Sequence, residues 1–251
     1  NADVAWDSTL STGRITLYLN DWTGDCKDVN FRKAIQSGID KQMINDGVYA
    51  GRSEILNVDM CSNYLSFVTE ADGVNVVPYD QEAAKAYLAK SNYSGKEFAL
   101  SVPSGSALEN VAKIIQAQLM EIGINCTVKA TDYPTYSGEF KNRTYEAYIL
   151  NNLCSLVDAD GVYTGHRLDR KPWENRVFQR DGEISDILLK ARAAQGDERK
   201  SMYVKACNIV TEEAYDVPLV NDLATIAYRS NMSGVKAHCL GNMYFGEWTF
   251  N

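Results

Sequence analysis

The chain has 251 residues, of which 45% are apolar and 23% charged, and its formal net charge is -8. This is ordinary globular composition, enough for one large domain or two small ones, and it excludes wholesale disorder. The acidic balance repels phosphate backbones and argues against a nucleic-acid partner. No apolar run approaches the ~20 residues of a membrane-spanning helix.

The opening residues Asn1 to Trp6 carry neither the basic start nor the apolar stretch of a secretory signal. Ile15 to Leu19 reads as a short strand running into a turn at Asn20 to Gly24. Asp28 is placed to cap a helix with Phe31, Ala34, Ile35, Ile39 and Met43 on its apolar face, ending near Gly47 and Gly51. Residues 52–78 show no period and are expected to be irregular. Asp80 caps the next helix, and Phe98 to Val102 forms a strand. Ser106 and Glu109 have the spacing of a capping box, ahead of a stripe of Val111, Ile114, Ile115, Leu119 and Ile122. Gly123 can close that helix in the left-handed conformation, with Ile124 packing back on it. Ile124, Cys126, Val128 and Ala130 then alternate with polar residues, so strand, helix and strand make a parallel, right-handed βαβ unit.

Asp132 caps a helix with Tyr133, Tyr136 and Phe140, and Glu146 to Leu150 is a strand delivering a loop at 151–155. Residues 161–180 read as irregular. Helices follow at 183–194 and at 198–214, the second capped by Asp197, and then strands at 219–220 and 224–228. Of the six cysteines none forms a Cys-x-x-Cys pair, which excludes zinc-ribbon and thioredoxin chemistry. Cys126, at an apolar position of its strand, reads as a buried free thiol.

In this order the elements resemble the family 5 extracellular solute-binding proteins, the capture components of peptide- and nickel-type ABC importers. The helix Asp28-Val29-x-Phe31-Arg32-Lys33-Ala34-Ile35 through Ile39-Asp40-Lys41 is similar to the family's signature helix. Tyr79-Asp80-x-Glu82-x-Ala84-Lys85, Gln118-Leu119-x-x-Ile122-Gly123-Ile124, Asp158-Ala159-Asp160 and Ala214 to Leu219 resemble further family segments in the right order. The resemblance implies a periplasmic-binding-protein-like α/β lobe with a mixed sheet and flanking helices. It implies that the chain is the C-terminal half of a protein about twice as long, with a signal peptide and a first lobe upstream. Residues 1–221 would form the second ligand-binding lobe, and residues 222–251 would return toward the first.

The resemblance places the ligand between two lobes and makes loop 151–155 its contact. The carboxylate that holds a peptide's amine in the family pattern is replaced here by Ser155, and its tryptophan by Asn152. A neutral solute, an oligosaccharide or a blocked peptide, is therefore expected. Asn151, Asn152, Cys154 and Ser155 are the candidate contacts; Trp22, Tyr163 and Trp173 are aromatic candidates, with interlobe packing the competing reading for Trp22. His166 and His238 have no metal-ligand spacing, and Asp158-x-Asp160-Gly161 lacks the later ligands of a calcium loop, so no cofactor is expected. No nucleophile elbow, P-loop or dinucleotide fingerprint is present, so no enzyme is expected. The implied protein is a monomer outside the cell, held to the membrane only by a lipid anchor beyond this chain, with ABC permease subunits as partners. The competing class is a ligand-sensing domain of a regulator.

Overall fold

The computed structural model describes residues 3–154, 157–161 and 182–250. Five strands form one mixed sheet: β1 (Val4–Leu19), β2 (Phe98–Pro103), β3 (Cys126–Thr131), β4 (Ala147–Leu153) and β5 (Asp216–Arg229), in the order β3-β2-β4-β1-β5. β2 runs parallel to β3 and β4, while β1 is antiparallel to β4 and β5. The helices are α1 (Val29–Ser37), α2 (Lys41–Tyr49), α3 (Gln81–Lys90), α4 (Leu108–Glu121), α5 (Tyr133–Asn142), α6 (Gly182–Ala193) and α7 (Gly196–Glu213). A two-stranded ladder, β6 (Met232–Ser233) with β7 (Thr249–Phe250), follows β5.

Strand alternation builds the two faces. Ile15, Leu17 and Leu19 of β1 join Leu100, Val102, Ile149 and Leu219 in a core that also takes Phe31 and Ile35 of α1, Ile44 of α2 and Val111, Ile115 and Leu119 of α4. The opposite face carries Tyr18 and Tyr148, packed under Tyr136 of α5, whose ring stacks on Tyr148 at 4.0 Å. A third cluster joins Val58, Met60 and Tyr64 to Ile184 and Leu188 of α6 and to Tyr203 and Ala206 of α7. The unperiodic stretch 52–78 is therefore irregular but not superficial, since its apolar residues cover this part of the molecule.

Several local expectations hold. Asp28, Asp80 and Asp132 cap α1, α3 and α5 through their side chains. Gly123 takes φ +99°, with its N–H bonded to Met120 O and that of Ile124 to Leu119 O, the paired bonds of a Schellman close. β2, α4 and β3 form the parallel unit, and Cys126 is buried and free.

Others are corrected. The first helix breaks in two at Gly38 to Asp40, because Asp40 accepts from Gln42 N–H and starts α2. Met43 consequently turns outward, 53% exposed. Ser106 and Glu109 make no capping box: α4 starts after Ala107, the Ser106 hydroxyl donates to Pro103 O, and Glu109 accepts from Gly105 N–H. Gln195, not Asp197, occupies the cap of α7. β1 extends back to Val4, and the two short strands expected near the end are one, β5. Most of the additional length of β1, Val4 to Leu10, forms a two-stranded ribbon with Leu223 to Arg229, which contains the expected strand 224–228. Along Val4 to Leu10 apolar and polar residues do not alternate, although Leu223, opposite Leu10, packs against the core. β4 runs on through Leu153, so Asn151 and Asn152 belong to a strand and not to a loop.

The sheet's second face centres on one carboxylate. Asp59 receives Arg14 Nε at 2.6 Å and Nη2 at 3.1 Å, Thr16 Oγ1 at 2.6 Å and the Tyr18 hydroxyl at 2.9 Å. Arg14 is 0% exposed and Asp59 2%. Burial disfavours the charged guanidinium, but Asp59 outweighs it and the Arg14 pKa is raised. The Tyr18 oxygen also accepts from Asn152 Nδ2 at 2.9 Å, so the network reaches β4. Removing one partner strands a buried charge, which costs about 3–5 kcal/mol. Asp59→Ala is expected to lose stability of that order in urea titration. The double variant Arg14→Met with Asp59→Leu should recover much of it; a double-variant loss equal to the sum of the losses of Arg14→Met and Asp59→Leu alone would show that the pair is not coupled.

Candidate ligand-contacting edge

Because β2, β3 and β4 are parallel, their carboxyl ends, Pro103, Thr131 and Leu153, lie on one edge of the sheet. In open α/β sheets that edge, with the loops leaving it, is where ligands bind. Here the loops begin at Ser104, Asp132 and Cys154. The Ser104–Ala107 turn holds Gly105 at φ +74°, a conformation that favours glycine, with open space beside its Cα. Asp132 is occupied in capping α5, taking Thr135 N–H at 3.1 Å and its hydroxyl at 2.7 Å. Tyr133, next in line, is 69% exposed, and Leu153 is 62% exposed. Sequence reasoning named neither as a site residue, although Leu153 lies in the loop 151–155 that it took as the contact. A strand continued to Leu153, and a βαβ unit whose second strand ends just before Tyr133, are the signals that find them.

The residues expected to contact ligand are dispersed by the fold. Asn151 lies on the face of α2, where its Nδ2 donates to Asp222 Oδ2 at 2.6 Å. Gly13, on the neighbouring strand, makes room for this contact: a Cβ there would stand 2.8 Å from Asn151 Oδ1 and 2.9 Å from Ser11 Oγ. Asn152 is buried in the Tyr18 network. Cys154 is buried against the third cluster, its N–H on Thr12 O and its carbonyl taking the Thr12 hydroxyl. Asn152 and Cys154 therefore anchor the end of β4 from behind. Ser155, Tyr163 and Trp173, with His166, lie outside the described residues.

Trp22 sits at the other pole. Leu19 pairs with Ala147 while Gly13 pairs with Leu153, so the two ends of this ladder are about 20 Å apart at ~3.4 Å per residue. There the indole lies under Arg143, whose guanidinium carbon is 3.7 Å from the ring centroid. Asn20 organises the pair, donating to Arg143 O and Tyr145 O and accepting from Trp22 N–H.

Asp158 and Asp160 are ion-paired. Asp158 takes Asp160 N–H at 2.8 Å and Arg199 Nη2 at 2.6 Å, and Asp160 takes Arg192 Nε at 2.7 Å. Leu65 brackets the same loop, donating its N–H to Val157 O and accepting from Ala159 N–H. The pair thus turns and anchors the loop, as its spacing suggests. No cluster of metal-binding side chains occurs among the described residues. His238 makes an edge contact with Tyr244. Burial pushes the thiols of Cys61 and Cys126 up to about 12, far from a reactive thiolate.

Comparison with known proteins matches this arrangement. DppA from Helicobacter pylori, solved in complex with the peptide STSA, superposes with a TM-score of 0.84 at 20% identity, covering 100% of this chain and 49% of that one. The substrate-binding protein CtaP of an ABC transporter from Listeria monocytogenes gives 0.86 at 19%, covering 99% and 52%. The fold is that of the type II periplasmic binding proteins. A probable di/tripeptide-binding protein of Pseudomonas aeruginosa is 23% identical over 231 residues, covering 88% of this chain and 42% of its relative. The profile of the bacterial extracellular solute-binding proteins, family 5 Middle, matches residues 2–171. The chain belongs to that family, a family of binding proteins, and spans about half the length of the relatives it matches.

The contact behind Asn151 sets a pH dependence. Burial raises the Asp222 pKa, only partly offset by the Asn151 and Leu223 N–H groups. A carboxyl whose folded pKa is raised favours folding when protonated, so this contribution is lost as pH rises from the ordinary carboxylate range through the folded value. Asp222→Asn keeps an oxygen for Asn151. It is expected to flatten that decline in urea midpoints measured from pH 4 to 8; a variant less stable than the parent at pH 7 contradicts the assignment.

Proposed function

We propose that this chain forms one wall of a closing cleft that captures a short peptide outside the cell and delivers it to an ABC importer without chemical change. The observation that carries this reading is where the ribbon leaves. β1 passes Gly13, opposite Leu153 at the carboxyl end of β4, and continues as Val4 to Leu10 beside Leu223 to Arg229. A body joined through that ribbon faces the edge bearing Ser104 to Ser106, Tyr133 and Leu153. A cleft between two bodies with a two-stranded connection is suited to hinge closure on a ligand. In this reading residues 1–221 are chiefly one lobe, and the ribbon with residues 230–251 belongs to the return path. The exposed Phe245 and Phe250 of that path support an apolar neighbour there.

The choice of peptide follows the relatives, which are named for di- and tripeptides or solved with a peptide. Ser155 and the segment holding Tyr163 and Trp173 complete the proposed contact surface. The family's extracellular setting and the transporter named in the structural relatives support export and a permease partner.

The test is thermal stabilisation of the protein, with its native flanking sequence, by free-amine tripeptides, N-acetylated tripeptides and malto-oligosaccharides. Peptides should raise the melting point, by about 2.7 kcal/mol of stability at 100 times Kd. Stabilisation by saccharides alone, or cleavage of the peptide, would sink the reading. Tyr133→Ala is expected to weaken peptide binding about tenfold, since truncating an aromatic contact costs on the order of 1.4 kcal/mol. Its melting point without ligand should be unchanged, because the ring is already in water.

A further inference from the structure

The ribbon leaves the sheet through an irregular crossing. Leu10 pairs with Leu223 and Arg14 with Asn221, so Ser11, Thr12 and Gly13 stand opposite Asp222 alone. A bulge of this kind bends the strand that carries it. Asn221 pins it from one side, its buried amide donating to Ser11 O at 2.9 Å and to Gly13 O at 2.6 Å. Asp222 is the next residue, the last before the ribbon, and its carboxylate meets β4 through Asn151 Nδ2. The two side chains approach each other over Gly13, whose missing Cβ would lie 2.8 Å from Asn151 Oδ1 and 3.2 Å from Asp222 Cβ.

One atom of this contact is left over. Asn151 Oδ1 is buried and accepts no hydrogen bond from the described residues. An ionised carboxylate has only acceptors and cannot serve it, whereas a protonated one has an O–H donor. With a proton taken from solvent, Asp222 can accept from Asn151 Nδ2 with one oxygen and donate to Asn151 Oδ1 with the other, the pairing of an acid with a primary amide. The surroundings favour that form, since burial raises the Asp222 pKa above the ordinary carboxylate range. The groups facing it supply no cation: Tyr49 from α2, Asn151 from β4 and Ser11 to Gly13 from β1. On the adjoining segment Arg52 lies over the Trp6 ring, and Glu54 accepts from the Ser62 hydroxyl.

We propose that Asn151 and Asp222 form a proton-operated clasp at the root of the ribbon, closed by two hydrogen bonds when Asp222 carries a proton and by one when it is ionised. The functional consequence rests on the peptide-capture reading, in which the ribbon connects the two walls of the cleft. It adds a regulation to that reading. The connection stiffens in acid and loosens as pH rises through the folded value of Asp222. A stiffer connection opens and closes less often, so ligand enters more slowly.

The experiment follows backbone amide hydrogen exchange of Leu223 to Arg229, corrected for the intrinsic pH dependence of exchange, in the protein with its native flanking sequence. The range is about pH 4.5 to 7, where the termini of a peptide keep their charges. Protection should be about fivefold greater in acid, the effect of one net hydrogen bond, and should fall along a single titration. Asp222→Asn, whose amide can pair with Asn151 in both directions at any pH, should keep the high protection throughout. Asn151→Ala should show the low protection throughout. Protection that does not titrate, or that titrates unchanged in Asn151→Ala, overturns the clasp. The same proteins are then mixed with trialanine in stopped flow. Its association rate should rise with pH in the parent and stay flat in both variants; a parent rate that ignores the titration seen by exchange overturns the regulation. Absence of trialanine binding at every pH overturns peptide capture, while exchange still decides the clasp.

Discussion

The middle of β1 can cross the molecule as it does only because one carboxylate lies beneath it. Arg14, Thr16 and Tyr18 occupy alternate positions of the strand, so all three point to the same side, and all three end on Asp59. A sheet face carrying an arginine would ordinarily face water. Here it is covered, and the segment that covers it, residues 52–78, has little regular structure of its own to hold it down beyond a single 3-10 turn at Glu70–Asp72. Asp59 ties that segment to the sheet; Leu56 N–H on Leu219 O and Tyr64 OH on Thr12 O fasten it on either side. The third apolar cluster can then form, since Val58, Met60 and Tyr64 are delivered to α6 and α7 by the same segment.

This arrangement divides labour between the two ends of the sheet. At the end where β4 begins, Trp22, Arg143 and Asn20 form a closed polar knot. At the other, three strands stop together and their loops remain open. The side chains just behind that edge, Asn151, Asn152 and Cys154, are all held by partners within the lobe, which keeps the exposed residues in front of them in fixed places. Rigid support behind a contact surface matters for any binding role, because a preorganised wall loses little entropy when a ligand arrives.

Much of this was legible from sequence, wherever a local rule had no competitor. Asp28, Asp80 and Asp132 announce helix starts because each carboxylate has an orphan N–H two or three residues ahead. Gly123 followed by Ile124 announces a helix end. Arg32, in the segment that carries the family resemblance, looks like a surface residue of an amphipathic helix. The fold instead buries it at 3% exposure, with donors on Cys26 O and Glu213 O, tying α1 to the end of α7. Such a long-range backbone contact leaves no periodic trace. Of the ribbon, only the side from Val4 to Leu10 escaped notice, because apolar and polar residues do not alternate along it. The break at Asp40 was hidden because an apolar stripe at helical spacing ran straight through it. That edge could be found only by topology, because Tyr133 and Leu153 come to the same edge of the sheet only once the strands are known to be parallel.

The ribbon also sets the order in which the molecule can be assembled. Its two strands come from opposite ends of the chain, Val4 opposite Arg229, and Ser230 N–H reaches back to Asp3 O at 3.1 Å. Within this chain β1 precedes the other strands of the sheet, and its partners β4 and β5 are the fourth and fifth of the sheet's five strands. Pairings of such sequence separation are slow to form. The sheet therefore closes through its most distant pairings, β1 with β4 and β1 with β5.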